Sequence, residues 1–467
     1  MTKKVRQQGG SNRSDGITVQ DALDLETVEV PAYLRLENNP DMGDEDLPVS
    51  YYTSREQHEL ERDKLWPKVW QLVCREDDIL NPGDHFVHDI VDKSLIIVRT
   101  EAGTIKALVN SCLHRGRSLR DESGSVKEFR CPFHGFTWAL DGSFKGMPCK
   151  WDFEHLCDAE MQLPEAAVDT WGGFVFVNID GKAGPLLDYL GVIPDHFKHL
   201  GLEKRYTGVH VRKVINCNWK VGHEAFMESY HAVETHPQIL PYTADANSQY
   251  DKFSKNVTRQ YTLGTVPSPH LDDVNDDEII DALVAQGLGQ PDAAKELLKI
   301  MDETGMNARQ AVGAMTRQMI TDISGQDLSN ATLSELQDYI LYDVVPNCQI
   351  WIGFHSSLVY QFRPNGDDHE SCIFDVRLLY VAEPDQVGKV PGVPAYDLAE
   401  GETFTDAEEL GKLGELGLGP VFDQDMGNLP YMMKGLKSSS KGAVSLASYQ
   451  ESRLRHLFHE IKKYTHS

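Results

Sequence analysis

Cys112-Leu-His114 and, after a loop-length gap, Cys131-Pro-Phe-His134 form the stretch on which the reading of this chain turns. Each half offers one thiolate and one imidazole. Two such pairs in one chain rarely arise by chance. Cysteine with histidine is compatible with a tetrahedral zinc site. It is also compatible with a [2Fe–2S] cluster in which two histidines replace two cysteines on one iron. The one-residue Cys-x-His spacing is unusual for a zinc finger, and no His-x₃₋₅-His pair follows within finger distance. Gly116, Pro132 and Gly135 stand at the tips of the two loops, where backbone N–H groups must turn toward sulfur.

The totals bound the rest. The chain has 467 residues, enough for two or three domains, and a formal net charge of −27. That balance argues against non-specific nucleic-acid binding, which depends on Lys and Arg neutralising phosphates. It suits a redox partner with a basic patch. No apolar run approaches the roughly 20 residues of a membrane span. No apolar core follows the charged start at Met1 either, so a cytoplasmic protein without membrane contact is expected. Of eight cysteines, six (Cys74, Cys149, Cys157, Cys217, Cys348, Cys372) show no paired spacing. Most are expected to be small buried residues.

Residues 1–16 are polar and read as a disordered tail. Thr18 with Asp21 caps a short helix, and Asn38 to Asp46 reads as a linker. Ser54 with Gln57 opens a helix that should stop before Pro67. Short β-rich runs follow from Trp70 to Asn178, with turns at Asn81-Pro-Gly-Asp84 and Asp141-Gly142. They make a small all-β unit from which the two Cys/His loops protrude. Beyond it, Val209 to Asn216 alternates as a strand and Trp219 to Thr235 reads as a helix ended by His236-Pro237. About His270 to Leu341 reads as helices, and Gln349 to Val381 as a meander turned at Pro364-Asn-Gly366. Trp351, Phe354 and His355 there are candidates for either core or pocket. An amphipathic helix from about Ser445 to Tyr464, apolar at Leu454, Leu457, Phe458 and Ile461, should lie on an antiparallel sheet. The fold class is α+β. The expected division is a tail and linker (1–45), a helix packing on the catalytic part (46–65), the cluster domain (66–180) and the catalytic domain (181–467).

Cys112-x-His114 with Cys131-x-x-His134-Gly is the Rieske signature. With Asn218-Trp-Lys220, Glu228-Ser-Tyr-His231, His236 and Phe422-Asp-Gln-Asp425 downstream, the chain from about Tyr51 onward resembles the large (α) subunit of Rieske non-haem iron aromatic ring-hydroxylating oxygenases. The resemblance implies one [2Fe–2S] cluster on Cys112, His114, Cys131 and His134, and a helix-grip (START-like) catalytic domain. It also implies one mononuclear Fe(II) on His231, His236 and Asp425. A ferrous site that activates O₂ needs two neutral imidazoles and one carboxylate on one face. On a continuous helix His231 and His236 would be rotated by about 140°; with the helix ending at His236, the second ring can swing back. Asp423 is the local rival to Asp425; the family's carboxylate sits about ten residues before a glycine, and Gly435 selects Asp425.

Glu228, three residues before His231, shares its helix face. In the resembling family a carboxylate here bridges the iron histidine (here His231) and a cluster histidine (here His134) from the next subunit of a trimer. The usual residue is aspartate, and the longer Glu228 weakens the expectation of arene dihydroxylation. The family's near-iron asparagine aligns with Glu224, whose acid would favour a cationic or hydrogen-bond-donating substrate. The resemblance implies a terminal oxygenase fed from NAD(P)H by a reductase, with or without a ferredoxin. It would form a homotrimer, with or without a small β subunit, and act with O₂ on an aromatic or related small organic molecule. Monooxygenation or demethylation of a methoxyarene or N-methyl amine is the alternative. A Rieske electron carrier without oxygen chemistry is the rival from another class, and a zinc-stabilised interaction protein the third.

Overall fold

The computed structural model describes residue 14 and residues 16–286, 291–354, 356–414 and 417–466. Most of the expected tail, and His355, lie outside these residues. Helix α1 (Val19–Leu23) carries the Thr18/Asp21 capping box. The expected linker is an arm held to the body: Asn38 donates its N–H to Asp251 and its side-chain amide to the Lys252 carbonyl. It leads to β1 (Leu47–Pro48), α2 (Ser50–Thr53) and α3 (Arg55–Lys64), which opens on Ser54 as its capping pattern predicts.

Ten strands then follow in order: β2 (Gln71–Arg75), β3 (Asp84–Ile90), β4 (Lys93–Arg99), β5 (Ile105–Val109), β6 (Gly124–Ser125), β7 (Phe129–Arg130), β8 (Thr137–Trp138), β9 (Phe144–Gly146), β10 (Glu165–Trp171) and β11 (Phe174–Asn178). One antiparallel sheet has the order β2-β11-β10-β5-β4-β3-β6, and a small one β7-β8-β9. Strand β4 reads as an unbroken apolar run because both faces are covered. Ile96 and Val98 join a core with Phe129 and Trp138, while Leu95 and Ile97 join one with Val175 and Val177.

Helices α4 (Leu186–Leu190) and α5 (Ile193–His196) lead to the larger sheet. Its strands are β12 (Arg205–Ile215), β13 (Gln249–Lys252), β14 (Val257–Thr262), β15 (Tyr339–Val344), β16 (Cys348–Trp351), β17 (Ser356–Asn365), β18 (Asp368–Val381) and β19 (Tyr396–Asp397). The order is β13-β14-β15-β16-β17-β18-β12-β19, antiparallel except for β12 with β19. Between β12 and β13 lie α6 (Trp219–Ala225) and α7 (Ala232–Thr235). Between β14 and β15 lie α8 (Asp276–Ala285), α9 (Pro291–Thr304), α10 (Ala308–Ser324) and α11 (Leu333–Gln337), where helices were expected. Helices α12 (Phe404–Glu409) and α13 (Gly419–Lys437), strand β20 (Ala443–Val444) and α14 (Ser452–Thr465) close the chain.

Two expectations are corrected. The helix expected over Trp219–Thr235 is two short helices, because the chain turns between Phe226 and Ser229, where the Ser229 hydroxyl bonds the Asp245 carbonyl. The terminal helix starts at Ser452, not Ser445. The preceding stretch is held extended by β20 pairing with β1, and Glu451 takes the Ala447 N–H. Its buried face, Leu454, Leu457 and Ile461, is the predicted one, and α14 packs on β13 and α3.

Candidate metal centres

The two Cys/His loops are built alike. The Cys112 N–H donates to the Arg117 carbonyl and Gly116 N–H returns to the Cys112 carbonyl, each at 2.8 Å. The Cys131 N–H donates to the Phe136 carbonyl at 2.8 Å and Gly135 N–H to the Cys131 carbonyl at 3.0 Å. Both turns close on a glycine at positive φ, +77° at Gly116 and +76° at Gly135. A side chain at either position would strain the loop.

The loops bring all four candidate ligands to one place. Cys112 and Cys131 are buried and their thiols touch. Burial pushes the Cys112 thiol up, while the N–H groups of His114 and Arg115 aim at its sulfur and oppose that shift. The His114 and His134 rings lie 4.7 Å apart at 71°. Their Nδ1 atoms are buried and make no hydrogen bond among the described residues. Leaving such an atom unpaired costs about 1–3 kcal/mol. Two thiolates and two unsatisfied imidazole nitrogens are the donor set of a mixed Cys₂His₂ iron–sulfur cluster, and the residues fit it. Phe136 stacks on His114 at 4.6 Å and Phe153 meets it edge-on at 5.7 Å. Phe133 leans on His134 at 3.9 Å and is itself exposed.

The second site forms where the break between α6 and α7 meets α13. Donor atoms of His231, His236 and Asp425 lie within 4.8 Å of one another. Asp425 Oδ1 is 2.9 Å from His236 Nε2 and 3.6 Å from His231 Nε2. Each ring's other nitrogen has an acceptor. His231 Nδ1–H donates to Glu228 Oε1 at 2.7 Å, and His236 Nδ1–H to Gln424 Oε1 at 2.8 Å. These bonds fix the tautomers that leave both Nε2 atoms free for a metal. His231 is pushed up to about 9: burial pulls it down, but the charge and hydrogen bond of Glu228, with Asp425 and Asp245, outweigh that. So much negative charge around two imidazoles suits a divalent cation, and the donor set fits ferrous iron.

The expected contact of Glu228 with His231 is present, but not across a helix face. Glu228 sits in the turn and its Oε2 also accepts the His231 N–H at 2.9 Å, just ahead of α7. Asp423 is occupied elsewhere, accepting from Phe404 N–H, Thr405 N–H and the Thr405 hydroxyl at the start of α12. Glu224 is buried, and its Oε2 accepts from the Tyr52 hydroxyl at 2.7 Å while Oε1 has no partner among the described residues. Burial pushes its carboxyl up to about 8. Gln424 was missed by sequence reasoning, although its place between Asp423 and Asp425 marks it as a neighbour of any ligand there. Phe354 is buried in the core, while Trp351 is partly buried, packing against that core and on Tyr360 at 6.3 Å. A cavity of about 1780 Å³ lies between α8, α9, α10 and the end of β18; none of the candidate ligands lines it. Among the described residues no helix is long and apolar enough to cross a membrane.

Comparison with known proteins agrees with this geometry. Residues 69–156 match the Rieske [2Fe-2S] domain, and residues 199–467 match the ring hydroxylating alpha subunit (catalytic domain). The α subunit of benzene 1,2-dioxygenase from Pseudomonas putida is 32% identical over 192 residues, 39% of this chain and 42% of that protein. The carnitine monooxygenase oxygenase subunit of Acinetobacter baumannii is 29% identical over 238 residues, 48% of this chain and 60% of that protein. The matches thus span under two thirds of either relative. Two solved structures share the fold. A quaternary ammonium Rieske monooxygenase with L-carnitine has TM-score 0.61, 17% identity, and covers 92% of this chain and 100% of its own. Naphthalene 1,2-dioxygenase with indole has TM-score 0.61, 17% identity, and covers 92% and 95%. Rieske domains bind a [2Fe–2S] cluster and this catalytic domain binds a mononuclear iron. With the catalytic-domain match covering more than half of its length, the chain belongs to the family of Rieske ring-hydroxylating oxygenase α subunits.

Proposed function

We propose that this chain is the terminal oxygenase component of a multicomponent system, taking electrons from NAD(P)H through a reductase, with or without a ferredoxin, and inserting oxygen from O₂ into a small organic substrate. The convergence of His231 Nε2, His236 Nε2 and Asp425 Oδ1 in a chain that also carries the Cys₂His₂ loops supports this reading above all. An electron carrier would need no such triad. The cluster unit is assigned to 66–180 and the catalytic unit to 181–467, behind an arm (1–45) and a packing helix (46–65).

Cys112, His114, Cys131 and His134 would hold the cluster, and His231, His236 and Asp425 the iron. Bound there, these groups would supply single electrons and O₂ activation. The chain does the rest. Glu228 and Gln424 hold both imidazoles in the ligating tautomer. So held, His231, His236 and Asp425 would offer an iron two neutral imidazoles and one carboxylate, the donor set that suits O₂ activation.

Among the described residues no hydrogen bond or ring contact joins the cluster loops to the triad of the same chain. The buried, unpaired Nδ1 of His134 would bind the cluster, which would leave Nε2–H as the ring's donor toward a neighbour. His231 is half-buried and its neighbour Tyr230 is exposed. Head-to-tail packing in a homotrimer would bring His134 of one copy to Glu228 of the next, giving that carboxylate an imidazole on each side. This path does not depend on a small β subunit.

Oxygenation of an aromatic ring is one reading of the reaction. Monooxygenation or demethylation of an N-methyl amine or methoxyarene is the second, favoured by Glu228 where the family usually has aspartate. It is supported as well by similarity to proteins named carnitine monooxygenase, glycine betaine monooxygenase and N,N-dimethyl phenylurea N-demethylase. The test is anaerobic reduction followed by ¹⁸O₂ with a panel of arenes, methoxyarenes and N-methyl amines. Two labelled oxygens in one product mean dioxygenation; one, or loss of formaldehyde, means the second reading. No product from protein holding about three irons per chain sinks both.

A further inference from the structure

The cluster tip has two unlike sides. Beside His134 stands the exposed Phe133. Beside His114 stands Phe153, which belongs to a surface loop running from Cys149 to Glu160. Two residues before Phe153 on that loop, Trp151 is 75% exposed. A tryptophan costs much free energy to leave in water, and tryptophan is enriched among the anchors of protein interfaces. The loop that carries it is acidic. Asp152, Glu154, Asp158 and Glu160 are all exposed, and the local cation Lys150 is already paired with Asp158. The proposed iron-side route leaves from His134, so this second side has no part in it.

We propose that the Cys149–Glu160 loop, with Trp151 as anchor, is the docking surface for an electron-transfer protein whose own redox centre is ringed by basic residues. The inference rests on the reading above only in that an outside donor must reduce the cluster. Electrons would enter on the Phe153/His114 side and leave on the Phe133/His134 side, so donor and neighbouring copy need not compete for one surface. Attraction between acidic loop and basic partner would speed encounter and weaken with salt.

Cytochrome c, a basic protein with an exposed haem edge, serves as the probe. Binding of the ferric cytochrome to the oxidised holoprotein is measured by calorimetry at about 20 and about 200 mM ionic strength. Separately, the dithionite-reduced holoprotein is mixed with ferric cytochrome, and one electron passes to each haem with no atom transferred. The expected result is binding and fast reduction at low salt, both weakened at high salt. Trp151→Ala should weaken binding about tenfold or more, Trp151→Phe much less. Glu154→Gln with Glu160→Gln should flatten the salt dependence. These side chains are exposed, so the fold should survive their substitution. Unchanged cytochrome binding in Trp151→Ala overturns the proposal. So does a change in assembly size in that variant with binding intact, which would mean that a second copy covers the loop. Neither arm needs substrate or O₂. A protein that binds cytochrome through Trp151 but yields no ¹⁸O product keeps the docking surface and loses the oxygenase reading.

Discussion

His231 and Asp425 are the proposed iron ligands, and their neighbours decide what they can do. Glu228 holds His231 by two bonds, one to the ring and one to the backbone. Glu228→Gln keeps the shape and removes the charge. Both metals should stay bound while product formation per reduced cluster falls about 10–100-fold. Iron content and rapid-quench product yield check this. Asp425→Asn and Asp423→Asn separate two carboxylates that sequence alone left as rivals. The first should lose the mononuclear iron and keep the visible spectrum of the cluster. The second should keep all iron and lose about 0.5–2 kcal/mol of stability, the usual worth of a helix cap. Glu224 makes a pH prediction. Its folded pKa, about 8, lies above its ordinary value, so the folded state binds more protons than the unfolded one between those limits. Stability should therefore fall as pH rises through that window. Tyr52, Lys220, Glu451 and Glu61 surround the group, and none of them offsets the burial. Glu224→Gln mimics the protonated acid. Denaturant unfolding should show it gaining on the wild type from pH 5 to pH 8, by at most about 1.4 kcal/mol for each step of one in pH.

At the scale of elements, the decisive feature is the end of α7 at His236, where the backbone leaves the helical region and lets two histidines five positions apart face one point. Helix α6 is positioned from outside its own sequence. Glu61 of α3, fully buried, accepts from Lys220 Nζ at 2.6 Å and from Trp219 Nε1 at 3.0 Å. Glu61→Gln leaves a buried ammonium without its counter-charge. The expected cost is about 3–5 kcal/mol, read as a lower unfolding midpoint, together with weaker retention of the mononuclear iron. The two glycine-closed loops, most strands and the amphipathic face of α14 were legible in the sequence, because each depends on local spacing or periodicity; the grouping of His231, His236 and Asp425, which the fold brings together, was expected from the family resemblance and not from spacing. The break after Phe226 was not legible, since it depends on Ser229, Asp245 and Tyr250 meeting in space. The late start of α14 was hidden for the same kind of reason: Ala443–Val444 pairs with Leu47–Pro48, nearly the whole chain away. Cys149 and Cys157 are exposed against the general tendency of free cysteine to be buried, on a loop whose charged neighbours Lys150, Asp152, Glu154, Asp158 and Glu160 mark it as surface.

At the scale of the whole molecule, the two sheets are fixed to each other by buried charge. Arg75 pairs with Asp77 at 2.9 Å and donates to the Arg205 carbonyl at 2.9 Å; Asp77 takes the Thr207 N–H at 2.7 Å; Arg377 pairs with Asp78 at 2.7 Å. Separating such groups would leave several charges unpaired in the interior, so the cluster loops cannot swing toward the iron ligands of their own chain at modest cost. That agrees with the proposed delivery of electrons between copies, which can be tested by complementation. One chain carries His134→Ala, which spoils its cluster; a second, differently tagged, carries Asp425→Ala, which spoils its iron site. Either alone should form no product. Co-expressed in equal amounts and randomly mixed around a head-to-tail ring, about a quarter of the interfaces place an intact cluster against an intact iron site. Product formation should therefore recover to about a quarter of the wild-type level. Electron flow within one chain predicts no recovery at any mixing ratio, and a rate near zero in doubly tagged, purified mixed assemblies would remove the His134–Glu228 route from the mechanism.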